Sequence, residues 1–151
     1  MLAKQAPGYL LVEMRYYTAP SPNQGSEQAR KQQQFFEALR KSTNVTLILG
    51  RHERRGSGDY AIHVEKETDV RLSVDLVVGA YEDQYDVAML ISGDTDYVPA
   101  VKAVRKRGKR VIWCCFQNQS HSKELAQSSD SCIELSDKIL RTCRRQHIRG
   151  Y

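Results

Sequence analysis

Short apolar runs alternate with amphipathic segments along most of the chain. Residues 45–49 (VTLIL) and 86–91 (DVAMLI) are continuous apolar stretches of strand length. Strands of this kind are typically buried on both faces of a sheet. The run 9–19 (YLLVEMRYYTA) is rich in β-branched and aromatic residues and ends at the breaker PSPNQG, which also predicts a strand. Two further strands are predicted at 110–116 (RVIWCCF) and 132–135 (CIEL).

Helical spacing of apolar positions fills the segments between these strands. The first helix is predicted over 26–41. The second is predicted to begin near Thr68, which is a suitable N-cap residue. The third is predicted over 96–107, with Pro99 in its first turn and Gly108 at C′. The apolar residues predicted to face the core from the second helix are Val70, Val74, Val77 and Tyr81. Two short helices are also predicted, at 122–127 and 136–144.

Alternating buried strands and amphipathic helices predict an α/β fold with a mostly parallel sheet covered on both faces. We expect one domain over residues 1–140, followed by a basic tail over 141–151. In sheets of this kind, ligands bind beyond the carboxyl ends of the strands. The chemistry is therefore expected at that edge.

Composition narrows the class of protein. Hydrophobic residues make up 40% and the mean hydropathy is −0.57. No apolar run approaches the roughly 20 residues that span a bilayer, and the N-terminal residues lack a signal-peptide pattern, so we expect a cytoplasmic protein without membrane contact. The four cysteines match no zinc or disulfide spacing and are expected to be reduced thiols. The net charge of +5 favours an anionic partner.

Two aspartates follow the buried strand 86–91, in the sequence LISGDTD. Asp96 alone is explained equally well as an N-cap of the next helix. Capping does not explain Asp94, whereas a hard divalent cation would be held by both carboxylates. We therefore expect a metal site here, in which the cation offsets the repulsion between the two charges.

A third aspartate supports this prediction. Asp69 lies in the first turn of a predicted helix, where an acidic residue also complements the helix dipole. Asp75, in the middle of that helix, is expected to be solvated.

The basic residues divide into two groups. The run RKRGKR, residues 105–110, closes the helix that starts at the acidic site, which puts it roughly 16 Å away. The segment RHERR, predicted as a polar loop within 51–59, follows a strand and should emerge at the acidic edge. The residues predicted to bind a phosphate backbone are Arg51, Arg54, Arg55, Lys66 and Lys123.

Several segments together resemble the NYN-domain family of PIN-like, LabA-type nucleases. They are YYTAP, FFEALRK, EKETDV and LISGDTDYVPAVKAVRKRGKRV, in the family's order over about residues 10–135. The resemblance implies a Rossmann-like three-layer sandwich and a Mg²⁺- or Mn²⁺-dependent ribonuclease acting on RNA, with single-stranded RNA as the expected partner. It places Asp69, Asp94 and Asp96 in the acidic cluster, with Ser92 positioning phosphate or water.

One departure from the family pattern matters. Members usually open with an apolar strand carrying Asp and then Asn, and no such Asp precedes Tyr16. The resemblance therefore implies that the first strand, normally central, and one acidic ligand are missing. Either the chain is N-terminally shortened, or a second copy or another partner completes the sheet edge.

Three functions follow from these features. The first is a metal-dependent ribonuclease. The second, motivated by the missing Asp, is a catalytically weak nucleic-acid-binding or regulatory module. The third is a phosphohydrolase of another type, which would need a nucleophilic Asp after the first strand, and no such residue is found. Metal-dependent RNA cleavage separates the first two, and a phosphomonoester assay separates the third.

Overall fold

The computed structural model describes residues 8–56, 62–117 and 122–143. Strands and helices alternate along them, which confirms the predicted α/β fold with parallel sheets. The chain divides into two compact units, which we call the N-terminal unit (Leu10–Asp75) and the C-terminal unit (Met1–Tyr9 with Leu76–Tyr151). Of the predicted basic tail, residues 144–151 lie outside the described residues.

The N-terminal unit begins with a parallel pair of strands. Strand β1 (Met14–Thr18) pairs with β2 (Val45–Leu49), and helix α1 (Glu27–Arg40) connects them. The Ser26 hydroxyl caps α1 by accepting a hydrogen bond from the Ala29 N–H at 3.0 Å. β1 is shorter than the predicted strand 9–19, and residues 10–12 before it are exposed.

A charged antiparallel hairpin follows β2. Strand β3 (Arg51–Arg55) pairs with β4 (Ile62–Lys66), with Arg51 opposite Lys66 and Arg55 opposite Ile62. The prediction of a loop over 51–59 is therefore wrong for residues 51–55. Ladder hydrogen bonds use only backbone groups, so charged residues can form a strand where a partner strand completes the ladder, as β4 does here.

Gly50, between β2 and β3, lies where the backbone is too crowded for a side chain. An added Cβ would stand 2.6 Å from the Lys66 carbonyl oxygen and 3.0 Å from the Thr68 hydroxyl oxygen. We expect Gly50→Ala to lower the free energy of unfolding by about 1–3 kcal/mol, because the strand end must shift to relieve this overlap. Urea unfolding followed by circular dichroism measures the change.

Gly25→Ala is the matched control, since the nearest atom to its added Cβ is 3.9 Å away. Equal stability of the two variants would show that the close approach at Gly50 is not tight.

Helix α2 (Thr68–Tyr81) contains the boundary between the two units. Its predicted core stripe is wrong in three of four positions: Val70, Val74 and Tyr81 are 68%, 51% and 54% exposed. Periodicity shows which residues share a face, but not whether another element covers it. Asp75, expected to be solvated, is partly buried and accepts a hydrogen bond from the Tyr17 hydroxyl at 2.9 Å.

The C-terminal unit contains a three-stranded parallel sheet. Its order is β5 (Val87–Ile91), β6 (Arg110–Phe116) and β7 (Ser131–Leu135). A 3₁₀ turn (Thr95–Tyr97) leads into α3 (Val98–Lys106), so the helix predicted over 96–107 begins with a tighter turn. Pro99 stands in its first turn and Gly108, at φ 86°, follows it, as predicted. Helices α4 (Lys123–Ser128) and α5 (Asp137–Cys143) complete the unit.

The two faces of this sheet are covered differently. Ile112, Cys114 and Leu135 form a buried cluster against which Ile139 of α5 packs. Strand alternation turns Val111, Trp113 and Cys115 to the opposite face. Helix α3, in which Val101 and Val104 are fully buried, contacts β6. The unit therefore has helix, sheet and helix layers.

Ladder pairing in the described residues joins β1 only to β2 and β5 only to β6. The strand that the family resemblance implied to be missing stays a prediction.

Candidate active site

The segment Ser92–Asp96 leaves the carboxyl end of β5, the edge at which the chemistry was predicted. The Asp94 N–H donates to the Ser92 hydroxyl at 3.1 Å, and the Asp96 N–H donates to Asp94 Oδ1 at 2.9 Å. Asp94 is thus the N-cap of the 3₁₀ turn, and Asp96 lies inside that turn. The capping role that the sequence suggested for Asp96 therefore belongs to Asp94. We call this segment the carboxylate loop.

Apolar packing fixes the turn behind the carboxylate loop. Tyr97 is only 5% exposed, and Val98 and Val101 after it are also buried. Helix α4 contacts the same turn. The loop is therefore held at its C-terminal end by core residues, whereas Asp94 and Asp96 face solvent.

Trp113 holds the other end of the carboxylate loop. Its indole N–H donates to the Ser92 carbonyl oxygen at 2.7 Å, from a side chain that is 2% exposed on β6. The apolar run around Trp113 predicts only a strand. A single Trp in an apolar run carries no signal that its N–H would reach a loop after the neighbouring strand.

The donor set of the carboxylate loop suits a hard cation. Asp94 and Asp96 supply carboxylate oxygens from one turn, and Mg²⁺ is commonly held by one or two carboxylates with waters and substrate phosphates. Within residues 8–56, 62–117 and 122–143, no group of three or more His, Cys, Asp or Glu is arranged to hold a metal ion.

Asp69 is the third predicted acidic residue, and it lies in the N-terminal unit, exposed in the first turn of α2. Thr68 beside it is buried, and its hydroxyl donates to the Glu65 carboxylate. The role of Asp69 as a metal ligand stays a prediction.

Four of the five predicted phosphate-binding residues lie on the β3–β4 hairpin. Arg51 pairs with Glu67, and Arg55 lies 3.6 Å from Glu53. The Arg51 guanidinium lowers the pKa of the Glu67 carboxyl through this hydrogen bond. Arg54 forms no ion pair with any residue that the structure describes, and Lys66 ends β4. The fifth residue, Lys123, opens α4, the helix that contacts the 3₁₀ turn.

Several basic side chains of the run 105–110 form ion pairs with acidic residues. Arg105 pairs with Asp130 at 3.0 Å, and Lys109 pairs with Asp83 at 3.2 Å and Asp86 at 3.1 Å. The hydrogen bonds that Lys109 donates, first to Asp86 and then to Asp83, raise the pKa of its ammonium group. The run also lies at the far end of α3 from the carboxylate loop, so it is placed to stabilise the fold.

The family model described as "NYN domain" matches residues 2–136. No curated protein matches the chain. The crystal structure of VPA0982, a protein of unknown function from Vibrio parahaemolyticus, superposes with a TM-score of 0.62 at 24% identity, over 83% of this chain and 70% of that one. At this identity the likeness supports the fold alone. No helix in the described ranges is long and apolar enough to cross a membrane.

Proposed function

Since the chain belongs to the NYN domain family, which is generally of nuclease type, we propose that it is a Mg²⁺- or Mn²⁺-dependent ribonuclease that hydrolyses phosphodiester bonds of single-stranded RNA. The observation that carries the proposal is the carboxylate loop, in which two exposed carboxylates follow the carboxyl end of the parallel strand β5. Both the position at a strand's carboxyl end and the oxygen donors suit phosphate chemistry assisted by a hard cation.

Asp94 and Asp96 would hold the cation through their carboxylate oxygens. When bound, such a cation supplies a more acidic water and charge stabilisation at the phosphate oxygens. Asp94 Oδ1 already accepts the Asp96 N–H, so the Asp94 carboxylate is oriented before any ligand arrives. The Ser92 hydroxyl accepts the Asp94 N–H, and its own proton remains available for a phosphate oxygen or a water.

The residues around the carboxylate loop hold it in place. The Trp113 N–H fixes the Ser92 carbonyl, and buried Tyr97 fixes the turn. Positioning of this kind matters because catalytic groups displaced by about 1 Å lose much of their effect. Lys123, at the start of α4, would contribute a positive charge toward phosphate.

The test is cleavage of a labelled single-stranded RNA with Mg²⁺ or Mn²⁺, with and without chelator, beside a small phosphomonoester. We expect RNA cleavage only with metal, and no phosphomonoester turnover. Phosphomonoester turnover without RNA cleavage would instead support a phosphohydrolase.

A second candidate is a nucleic-acid-binding or regulatory module with little activity. It is motivated by the departure from the family pattern, in which the first strand carries an Asp, whereas no Asp precedes Tyr16. RNA binding without metal-dependent cleavage would support it.

Asp69→Asn tests the third acidic residue separately. If Asp69 is a ligand, cleavage should fall about as far as in Asp94→Asn, while the melting temperature changes little, because Asn still suits a first helical turn. The charge at the helix N-terminus is lost in either case, which should lower stability by no more than about 1 kcal/mol; if Asp69 only complements the helix dipole, activity should stay near the parent's.

A further inference from the structure

Two cysteines on neighbouring strands of the C-terminal unit meet through their sulfurs. Cys115 of β6 and Cys132 of β7 have Sγ atoms 3.4 Å apart. Cys115 is buried and Cys132 is exposed, so solvent reaches the pair from the β7 side. Cys114 points to the opposite face, into the cluster with Ile112 and Leu135. The spacing of the cysteines in the sequence predicts only plain reduced thiols.

The strand register argues against a disulfide between them. Cys115 is paired with Glu134, and Cys132 with Trp113, so the two cysteines are offset by two ladder positions. Neighbouring strands lie about 4.8 Å apart and two residues advance about 6.6 Å, which puts the Cα atoms about 8 Å apart. Disulfides usually need about 4.4–6.8 Å. The thiols are thus brought together by their side chains over a backbone that is too wide for a direct bond.

A metal ion bound between two thiolates needs a longer sulfur–sulfur distance than a disulfide does. With metal–sulfur bonds of about 2.3 Å and a tetrahedral angle, two sulfurs stand about 3.8 Å apart. The observed 3.4 Å differs from this by a few tenths of an ångström. Thiolates also select soft or borderline cations over Mg²⁺.

We propose that Cys115 and Cys132 form a dithiol site for a thiophilic divalent cation of the Zn²⁺ and Cd²⁺ class. Each thiol releases its proton to solvent as its sulfur binds the cation, and no oxidant is needed. Waters complete the coordination on the exposed side of Cys132. The site lies beside Trp113, the ladder partner of Cys132 and the residue that holds the Ser92 carbonyl, so a cation bound there acts on the support of the carboxylate loop.

Trp113 makes the proposal directly measurable, because it is the single tryptophan of the chain. The experiment titrates the reduced protein with Cd²⁺ in saturating Mg²⁺, which keeps carboxylates occupied. Tryptophan fluorescence and thiolate-to-cadmium charge-transfer absorption are recorded together. We expect one saturable transition in both signals.

The variants Cys115→Ser and Cys132→Ser should each weaken Cd²⁺ binding at least tenfold and remove most of the charge-transfer band. Cys143→Ser, on α5, is the control and should bind like the parent. Unchanged Cd²⁺ binding by a folded Cys132→Ser would overturn the proposal. Quantitative conversion of the pair to an intramolecular disulfide by diamide, seen as a loss of two hydrogens by mass spectrometry, would also overturn it, since the backbone would then be close enough for a direct bond. None of these signals requires nuclease activity.

Discussion

Replacing Asp94 by asparagine is expected to lower metal-dependent RNA cleavage by roughly 100-fold or more while the protein stays folded, because even outer-shell partners of a metal contribute about 10–100-fold. The Asn side chain can still accept the Asp96 N–H, and Asn caps helical turns about as well as Asp does. The substitution therefore removes the charge and keeps the cap. Initial rates with Mn²⁺, together with thermal melting, measure the two effects separately.

The matched control is Asp86→Asn. Asp86 precedes the same strand β5 at its other end, where its carboxylate pairs with Lys109. The two substitutions change the net charge equally. Cleavage by Asp86→Asn should stay within about twofold of the parent's, because Asp86 is a surface residue away from the site. If the two variants cleaved RNA equally fast, the carboxylate loop would not be the metal site.

The second large effect is expected at the β3–β4 hairpin. Replacing Arg51, Arg54 and Arg55 by alanine should weaken single-stranded RNA binding more than tenfold at low salt. The slope of log affinity against log salt should become shallower by about 0.7 for each phosphate that the variant no longer neutralises. The reason is that these cations are exposed on one strand. Fluorescence anisotropy of a labelled RNA at several salt concentrations measures both quantities.

A triple alanine variant at Lys106, Arg107 and Lys109 removes the same charge from the other basic segment. Arg107 and Lys109 pair with acidic side chains, as Arg51 and Arg55 of the hairpin do, but this segment lies at the far end of α3 from the carboxylate loop. We expect affinity to fall by less than threefold, with an almost unchanged salt slope. An equal or larger fall in this variant would mean that RNA binds along the end of α3.

Local sequence signals predicted the elements that depend on local physics. The apolar runs at 45–49 and 86–91 are strands β2 and β5, and Pro99 and Gly108 mark the first turn of α3 and the residue after its C-cap. The position of the SGDTD segment at the carboxyl end of a parallel strand was also predictable, because strand polarity follows from the alternation with helices.

Features that depend on distant partners were not predictable. Strand β3 forms from charged residues because β4 supplies its ladder. The apolar stripe of α2 has helical spacing, yet Val70 and Val74 are exposed, and spacing alone does not show coverage. Trp113 reaches Ser92 from the neighbouring strand, and which of the two aspartates caps the turn depends on the backbone path after β5.

The most direct test of the carboxylate loop as a metal site is calorimetric titration of the folded protein with Mn²⁺, without RNA. We expect one saturable site at micromolar to millimolar Mn²⁺ in the parent, and binding at least tenfold weaker in Asp94→Asn but not in Asp86→Asn. No binding at millimolar Mn²⁺, or equal binding in the parent and both variants, would contradict it.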